Sequence, residues 1–302
     1  MEISDTKKSS LIEFKNLKKN YQIFKEKHPA IGKVTDWILS LLEALIIALI
    51  IRALFLQAYK IPTGSMEPTL IGSEQSYFHN ETIGDHLLVE RLTYGIRVPF
   101  TDFRLPALRK IKRGDIVVFD YPLNTKKDFV KRVIGLPGET IQIINKVVYI
   151  NGKKLDEPWL RFGWNKHHTD NYILSSEEST RDNLGPLIIP KKGDKIVLKD
   201  DKIYVNNNFI YNKQIISLYT KEVTKNYAEL YNIALLNRKE VKENISLQPG
   251  KVYIVKYDCY FVMGDNRDNS LDSRFWGFLS YNYIHGKPLV KYWPPHRIGL
   301  IW

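Results

Sequence analysis

Two regimes of apolar patterning divide the chain. From Trp37 to Ala58 the residues WILSLLEALIIALIIRALFLQA are apolar on every face of a helix, interrupted only by Glu43 and Arg52. At 1.5 Å per residue such a helix is about 33 Å long, enough to cross a hydrocarbon core of about 30 Å. Beyond it the pattern shortens to β-rich runs bounded by Gly, Pro and Asn: DIVVFDYP (115–122), DFVKRVIG (128–135), ETIQIINKVVYINGK (139–153), KIYVNNNFI (202–210) and KVYIVKYDCYFVMG (251–264). The predicted fold class is mainly β: a single N-terminal transmembrane helix, then an irregular all-β core with an inserted second β-rich subdomain.

The two charges in the apolar run lie nine positions apart, on opposite faces of a helix, and do not pair within it. Arg52 is close enough to one end to snorkel. Glu43 lies two turns from the start, where snorkelling competes with the functional role that an intramembrane carboxylate suggests. A cleaved leader, with Ala44–Ile51 as its apolar region, would need more than forty residues before that region and a cleavage site at Leu56-Gln57-Ala58, and both fit poorly. A buried helix of a soluble domain is the other alternative. The lysine-rich segment before the run predicts a cytoplasmic N-terminus and an extracytoplasmic remainder.

Within the β-rich part, Asn151-Gly152 is a hairpin turn signal. Gly138, Ile141, Tyr149 and Asn151 recur 55 positions later as Gly193, Ile196, Tyr204 and Asn206, which predicts two similar hairpins. Residues 165–185 are polar and read as a surface loop, with His167 and His168 exposed in it rather than holding a metal. From Val223 the apolar spacing predicts a helix. The expected organisation is a basic cytoplasmic tail (1–36), the span (37–59), the core's first part (60–149), the inserted subdomain (150–250) and the core's second part (251–302).

Charge and composition narrow the function classes. The 302 residues are 44% hydrophobic, sufficient for a packed core, and 45 Lys and Arg against 33 Asp and Glu give a net charge of +12. A basic chain suits either nucleic acid or anionic lipid. No nucleic-acid partner is expected, since the basic residues come in no dense run and no recognition signature accompanies them. Cys259 is the single cysteine, which excludes an intrachain disulfide and a cysteine metal cluster.

Three stretches carry candidate chemistry. In IPTGSMEPTL (61–70), Gly64 opens backbone space, Pro62 stiffens the approach, and Ser65 is presented on a short loop. Thr63 is a second hydroxyl that could donate to an oxyanion beside the Ser65 N–H; an ordinary turn explains the same residues. In DFVKRVIGLPGE (128–139), strand alternation puts Lys131 on the face of Phe129 and Val133, where desolvation lowers a lysine pKa toward that of a general base. A surface Lys-Arg pair is the alternative, and Arg132 itself cannot deprotonate. GDNRDNSLDSR (264–274) departs from a calcium loop at Arg267 and Ser270, so no metal is expected. It reads instead as a polar turn in which Asp265, Asp272 and Arg274, with Arg132, form an ion network while Ser270 orients an amine. His86 and His285 remain rival bases for Ser65, and a membrane-anchored β scaffold in an envelope complex is the non-enzymatic alternative.

In this order and after an N-terminal span, PTGSMEPTL, KRVIGLPGE and GDNRDNSLDSR, with the weaker IGDHLLVERL (83–92), resemble the bacterial type I signal peptidases. The resemblance implies a serine endopeptidase that needs no cofactor, sits in the bacterial cytoplasmic membrane with its catalytic core on the periplasmic side, and cleaves signal-peptide-bearing preproteins after Ala-X-Ala. It implies Ser65 as nucleophile and Lys131 as general base. Ser270 would orient Lys131, and Thr63 with the Ser65 amide would form the oxyanion hole. Tyr59, Ile61, Pro62, Met66, Leu70, Phe129 and Val130 fall where the family lines its substrate pockets.

Overall fold

The structure, a computed structural model, describes residues 21, 23, 25–74, 83–98, 103–160, 183–199, 202–211 and 249–301. The chain divides into two units, one up to Leu54 and the other from Phe55. His167, His168 and the helix expected from Val223 lie outside the described residues.

The first unit is built on helix α1 (Pro29–Phe55). Proline at its first position has no N–H to leave unpaired there. The helix begins earlier than the apolar pattern indicates and ends earlier too: residues 56–59, expected within the span, belong to the strand Leu56–Lys60 instead. Apolar side chains along α1 are exposed, among them Trp37, Leu41, Leu45 and Ile47. Among the described residues, no helix is long and apolar enough to cross a membrane.

The second unit is mainly β. It begins with β1 (Leu56–Lys60), β2 (His86–Glu90), β3 (Ile116–Tyr121) and β4 (Asn124–Gly135). Then come β5 (Thr140–Ile144), β6 (Val147–Ile150), β7 (Lys153–Lys154) and β8 (Leu184–Ile188), followed by β9 (Lys195–Lys199), β10 (Lys202–Val205), β11 (Asn208–Tyr211) and β12 (Val252–Ile254). The chain closes with β13 (Cys259–Met263), a single helical turn α2 (Ser273–Trp276), β14 (Leu279–Ser280), β15 (Ile284–Trp293) and β16 (Gly299–Leu300). The large sheet runs β1-β2-β15-β3-β4-β13-β14, with β16 beside β15, and its named pairs are antiparallel.

Two four-stranded sheets stand apart from it: β7-β6-β5-β8 and β11-β10-β9-β12. The sequence echo marks one local device used in each. Asn151 and Asn206 both have φ 51°, and each side-chain Oδ1 accepts from the first residue of its hairpin, Thr140 N at 2.8 Å and Lys195 N at 2.9 Å. Gly138 and Gly193 supply the matching left-handed turns at φ 83° and 91°, while Ile141 and Ile196 are fully buried.

Strand β3 explains how the large sheet holds its site. Its run IVVFD is buried throughout, as expected for a strand covered on both faces. Ile116 and Val118 pack with Ile61, Met66, Leu70, Leu87 and Val89. Val117 and Phe119 pack on the opposite side with Val133, Val262 and Trp276. Neighbouring β4 is thereby fixed in depth as well as register, with Val117 opposite Lys131 and Ile116 opposite Arg132. For the paired hairpins, replacing Asn151 by Ala removes a hydrogen bond and places an unsuited residue at positive φ. It is expected to cost roughly 1–3 kcal/mol in urea unfolding, whereas Asn151→Asp, which keeps the acceptor, costs less.

Candidate active site

The serine loop leaves β1 and is closed at its base by Asp85. Ile61 N donates to Asp85 O at 2.9 Å, Asp85 N to Ile71 O at 2.9 Å, and Ser73 N to Ile61 O at 3.1 Å. The Asp85 carboxylate also accepts from Ile71 N at 2.9 Å and from Arg297, whose Nε lies at 2.7 Å. Gly84 allows this closure, because a Cβ there would lie 2.2 Å from Ile61 O. At the tip, Gly64–Met66 form one 3₁₀ turn, in which Gly64 makes room for the Glu67 carboxylate and Met66 is driven into the core. Ser65 is left half-buried between them.

Lys131 reaches this serine from β4. Its Nζ donates to Ser65 Oγ at 2.7 Å and to Val130 O at 3.0 Å, and lies 5.3 Å from the centre of the Phe129 ring. The side chain is buried, and this desolvation lowers its pKa from 10.5 to about 8. Asp272 and Asp265 pull it back upward, and Arg274 adds to the lowering. The remainder of the motif anchors the strand: Gly138 turns the chain at positive φ, and Glu139 accepts from Leu136 N at 2.7 Å and Arg113 at 2.6 Å.

The distal loop supplies those neighbouring charges as two closed pairs. Arg132 binds Asp265 through both oxygens, at 2.8 and 2.6 Å, and its third nitrogen donates to Gly114 O at 2.8 Å. Arg274 grips Asp272 at 2.8 and 2.9 Å, while Gly264 N donates to Asp272 at 3.0 Å. Burial alone would raise the Asp272 carboxyl, but the Arg274 charge and hydrogen bonds hold it below the usual range. The loop also grips the serine loop directly: Asn266 N donates to Ser65 O at 3.2 Å and Asn266 Nδ2 to Gly64 O at 3.1 Å.

Other residues singled out from the sequence fall in distinct places. Thr63 is exposed, and its hydroxyl lies 3.4 Å from Ser65 Oγ. Ser270 is buried; its Oγ contributes weakly to lowering Asp272 but makes no hydrogen bond of normal geometry, to Lys131 or to any other described residue. It stands close to the dyad, since a Cβ on Gly264 would lie 2.3 Å from both Ser270 Oγ and Ser65 O. Ile61, Met66 and Leu70 are buried in one cluster, with Tyr59 and Val130 partly buried against it. Pro62 is exposed. Phe129 belongs to the opposite cluster and stacks on Tyr121 with ring centres 4.4 Å apart.

Neither rival histidine is bonded to Ser65 among the described residues. His86 meets the edge of Tyr292, and His285 Nε2 lies 2.8 Å from Asp120 and 3.2 Å from Asp128. Burial would lower the His285 pKa, but these two carboxylates raise it. The donor atoms of this triad lie within 4.8 Å of one another. Sequence reasoning passed over it, and over Asn266, Glu157 and Trp159, and read Arg267 only as a departure from a calcium loop. Asn266 lies inside a motif already quoted, but nothing local in that motif sets it apart.

Comparison with known proteins places the chain in a family. The sequence profile of "Signal peptidase, peptidase S26" matches residues 34–191 and 186–293. Signal peptidase I of Buchnera aphidicola subsp. Acyrthosiphon pisum is 35% identical over 255 residues, covering 81% of this chain and 70% of the relative. That of Aquifex aeolicus is 29% identical over 266 residues, covering 85% and 83%. A crystal structure of a signal peptidase I from Enterococcus faecalis aligns with 60% of this chain and 98% of its own, at 24% identity and a TM-score of 0.27. With the profile spanning most of its length and a 35% identical relative covered over more than two thirds, the chain belongs to the signal peptidase family, peptidase S26, and is a serine endopeptidase.

Proposed function

We propose that the protein removes N-terminal signal peptides from exported preproteins after small residues at positions −3 and −1, using Ser65 as nucleophile and Lys131 as general base. The observation that carries this reading is the 2.7 Å contact between a buried Lys131 Nζ and Ser65 Oγ. Neutral Lys131 takes the Ser65 proton as Oγ bonds to the scissile carbonyl carbon. The resulting oxyanion is met by the Ser65 N–H and the Thr63 hydroxyl. The Lys131 ammonium then gives its proton to the leaving nitrogen, the C–N bond breaks, and the mature protein departs. A water, deprotonated by Lys131, attacks the acyl ester; the proton returns to Ser65 Oγ and the signal peptide leaves as a carboxylic acid. Ser270 assists by restricting the Lys131 amine, and the side chains around Ile61 and Val130 favour small substrate residues.

The bilayer is the second partner in this proposal, with α1 as anchor. Its 27 residues are about 40 Å long, and its exposed apolar side chains suit a lipid solvent better than water. The apolar run also includes Ile50, Ile51, Ala53 and Leu54, whose side chains lie outside the described set. Because β1 pairs with β2 from Leu56 onward, the anchor ends at Phe55, and Ser65 follows ten residues later. With the N-terminus cytoplasmic, Ser65 would meet a preprotein where its own apolar segment leaves the membrane on the periplasmic side.

Three outcomes are expected. In detergent, with a preprotein carrying an Ala-X-Ala site, Ser65→Ala and Lys131→Met lower kcat by about 10³-fold or more while circular dichroism shows the fold retained. The kcat/KM of the wild type rises about tenfold per pH unit below about pH 8 and levels above it, because only neutral Lys131 accepts the proton. Expressed in a bacterium, the full chain stays in the membrane fraction through an alkaline carbonate wash, and a chain lacking residues 1–55 is released.

A further inference from the structure

Two side chains of the segment that follows β7 reach two of the three arginines that organise the distal loop, Arg267 and Arg132. Glu157 binds Arg267, with Arg267 Nη1 donating to Glu157 Oε2 at 3.1 Å and Nη2 to the other oxygen. The side chains of this pair are only 2% and 10% exposed. Arg267 in turn holds the loop backbone, its Nε donating to Gly264 O at 3.0 Å, and its own carbonyl accepts from Arg274 at 2.7 Å. The next link is direct, since Gly264 is packed against Ser65 O, and Asn266 bonds Ser65 and Gly64.

Trp159 acts on the other cation. Its ring lies 5.1 Å under the Arg132 guanidinium and covers Gly114, where a Cβ would come within 3.3 Å of the ring. Gly114 O accepts from the same Arg132 at 2.8 Å. Arg132 follows Lys131 on β4 and so projects from the opposite face of the strand. Asp265, which Arg132 fixes through two hydrogen bonds, is one of the carboxylates acting on the Lys131 amine. A guanidinium held between a carboxylate and an aromatic face is fixed in place and in plane.

Resting on the Ser65–Lys131 reading, we propose that Glu157 and Trp159 are positioning residues, which set the dyad's geometry by locking Arg267 and Arg132. Their polar and ring contacts are with Arg267 and Arg132 and not with Ser65 or Lys131, so their effect belongs in turnover and not in substrate binding. A small displacement of a reacting group is enough for a large loss of rate.

The test uses the full chain in detergent with an Ala-X-Ala preprotein, and measures kcat and KM separately for folded variants. Glu157→Gln and Trp159→Leu are expected to lower kcat about tenfold or more with KM within about twofold. Trp159→Phe, which keeps an aromatic face under Arg132, is expected to stay within about threefold of wild type. The Glu157→Gln/Arg267→Gln double variant should be no slower than the worse single one, because the pair acts as a unit. Multiplying losses in the double variant, a change confined to KM, or undiminished kcat would overturn the proposal. If removing Glu157 leaves Arg267 so poorly compensated that the chain fails to fold, the contrast between Trp159→Phe and Trp159→Leu decides it: equal kcat values overturn it. Ser65→Ala in the same assay separates the two levels. Its activity would sink the dyad reading, whereas its inactivity beside undiminished Glu157 and Trp159 variants would sink this inference alone.

Discussion

A lysine amine buried against a serine hydroxyl is the constraint around which the described β unit is arranged. Water stabilises an ammonium far better than a protein interior does, so burial of Lys131 favours the neutral amine. Lowering its pKa from 10.5 to about 8 corresponds to roughly 3 kcal/mol against the charged form. The folded chain therefore binds this proton less tightly than the unfolded chain does. Below about pH 8 the burial opposes folding in full, and the opposition is relieved as pH rises toward 10.5. The surrounding fold must supply the difference.

Two carboxylates close to that amine would undo the effect if they acted as free charges. Asp265 and Asp272 are each closed by a bidentate arginine, and the Arg274 charge offsets part of the pull of the two carboxylates on Lys131. Desolvation then outweighs attraction, in keeping with the direction of the lysine shift. Such pairs contribute little net stability when buried, since desolvation offsets much of their attraction. Their consequence here is geometric: the arginines fix the distal loop, and that loop fixes the serine backbone through Asn266.

What could be read from the sequence follows the range of the interactions involved. The Asn-Gly turn and its echo at Asn206 were legible because an asparagine at positive φ, hydrogen-bonded to its own hairpin, is a local device. The alternation at β4 was equally local, with Phe129 and Val133 packing in one cluster and Val130 in another. The end of α1 was misjudged since LQAY is apolar enough to continue a helix, and only pairing with β2, some thirty residues further on, makes it a strand. Asn266, Glu157 and Trp159 were invisible for the same reason: each matters through partners far along the chain, and no local pattern distinguishes an asparagine that grips a serine loop from one that caps a turn.

The described β unit contains two side chains, Lys131 and His285, whose neutral forms could accept a proton, and their surroundings push them in opposite directions. Lys131 is buried among charges that are already paired, so it is lowered toward neutrality. His285 is half-buried, but Asp120 and Asp128, opposite one another across β3 and β4, both meet its Nε2 and raise it. Two carboxylates against one imidazole nitrogen favour the protonated ring. The usual gap between the two groups is thus narrowed from both ends, by burial at the lysine and by carboxylates at the histidine. The difference lies in how the carboxylates are paired: Asp265 and Asp272 each take a bidentate arginine, whereas Asp120 and Asp128 both meet His285, with Arg97 3.9 Å from Asp120.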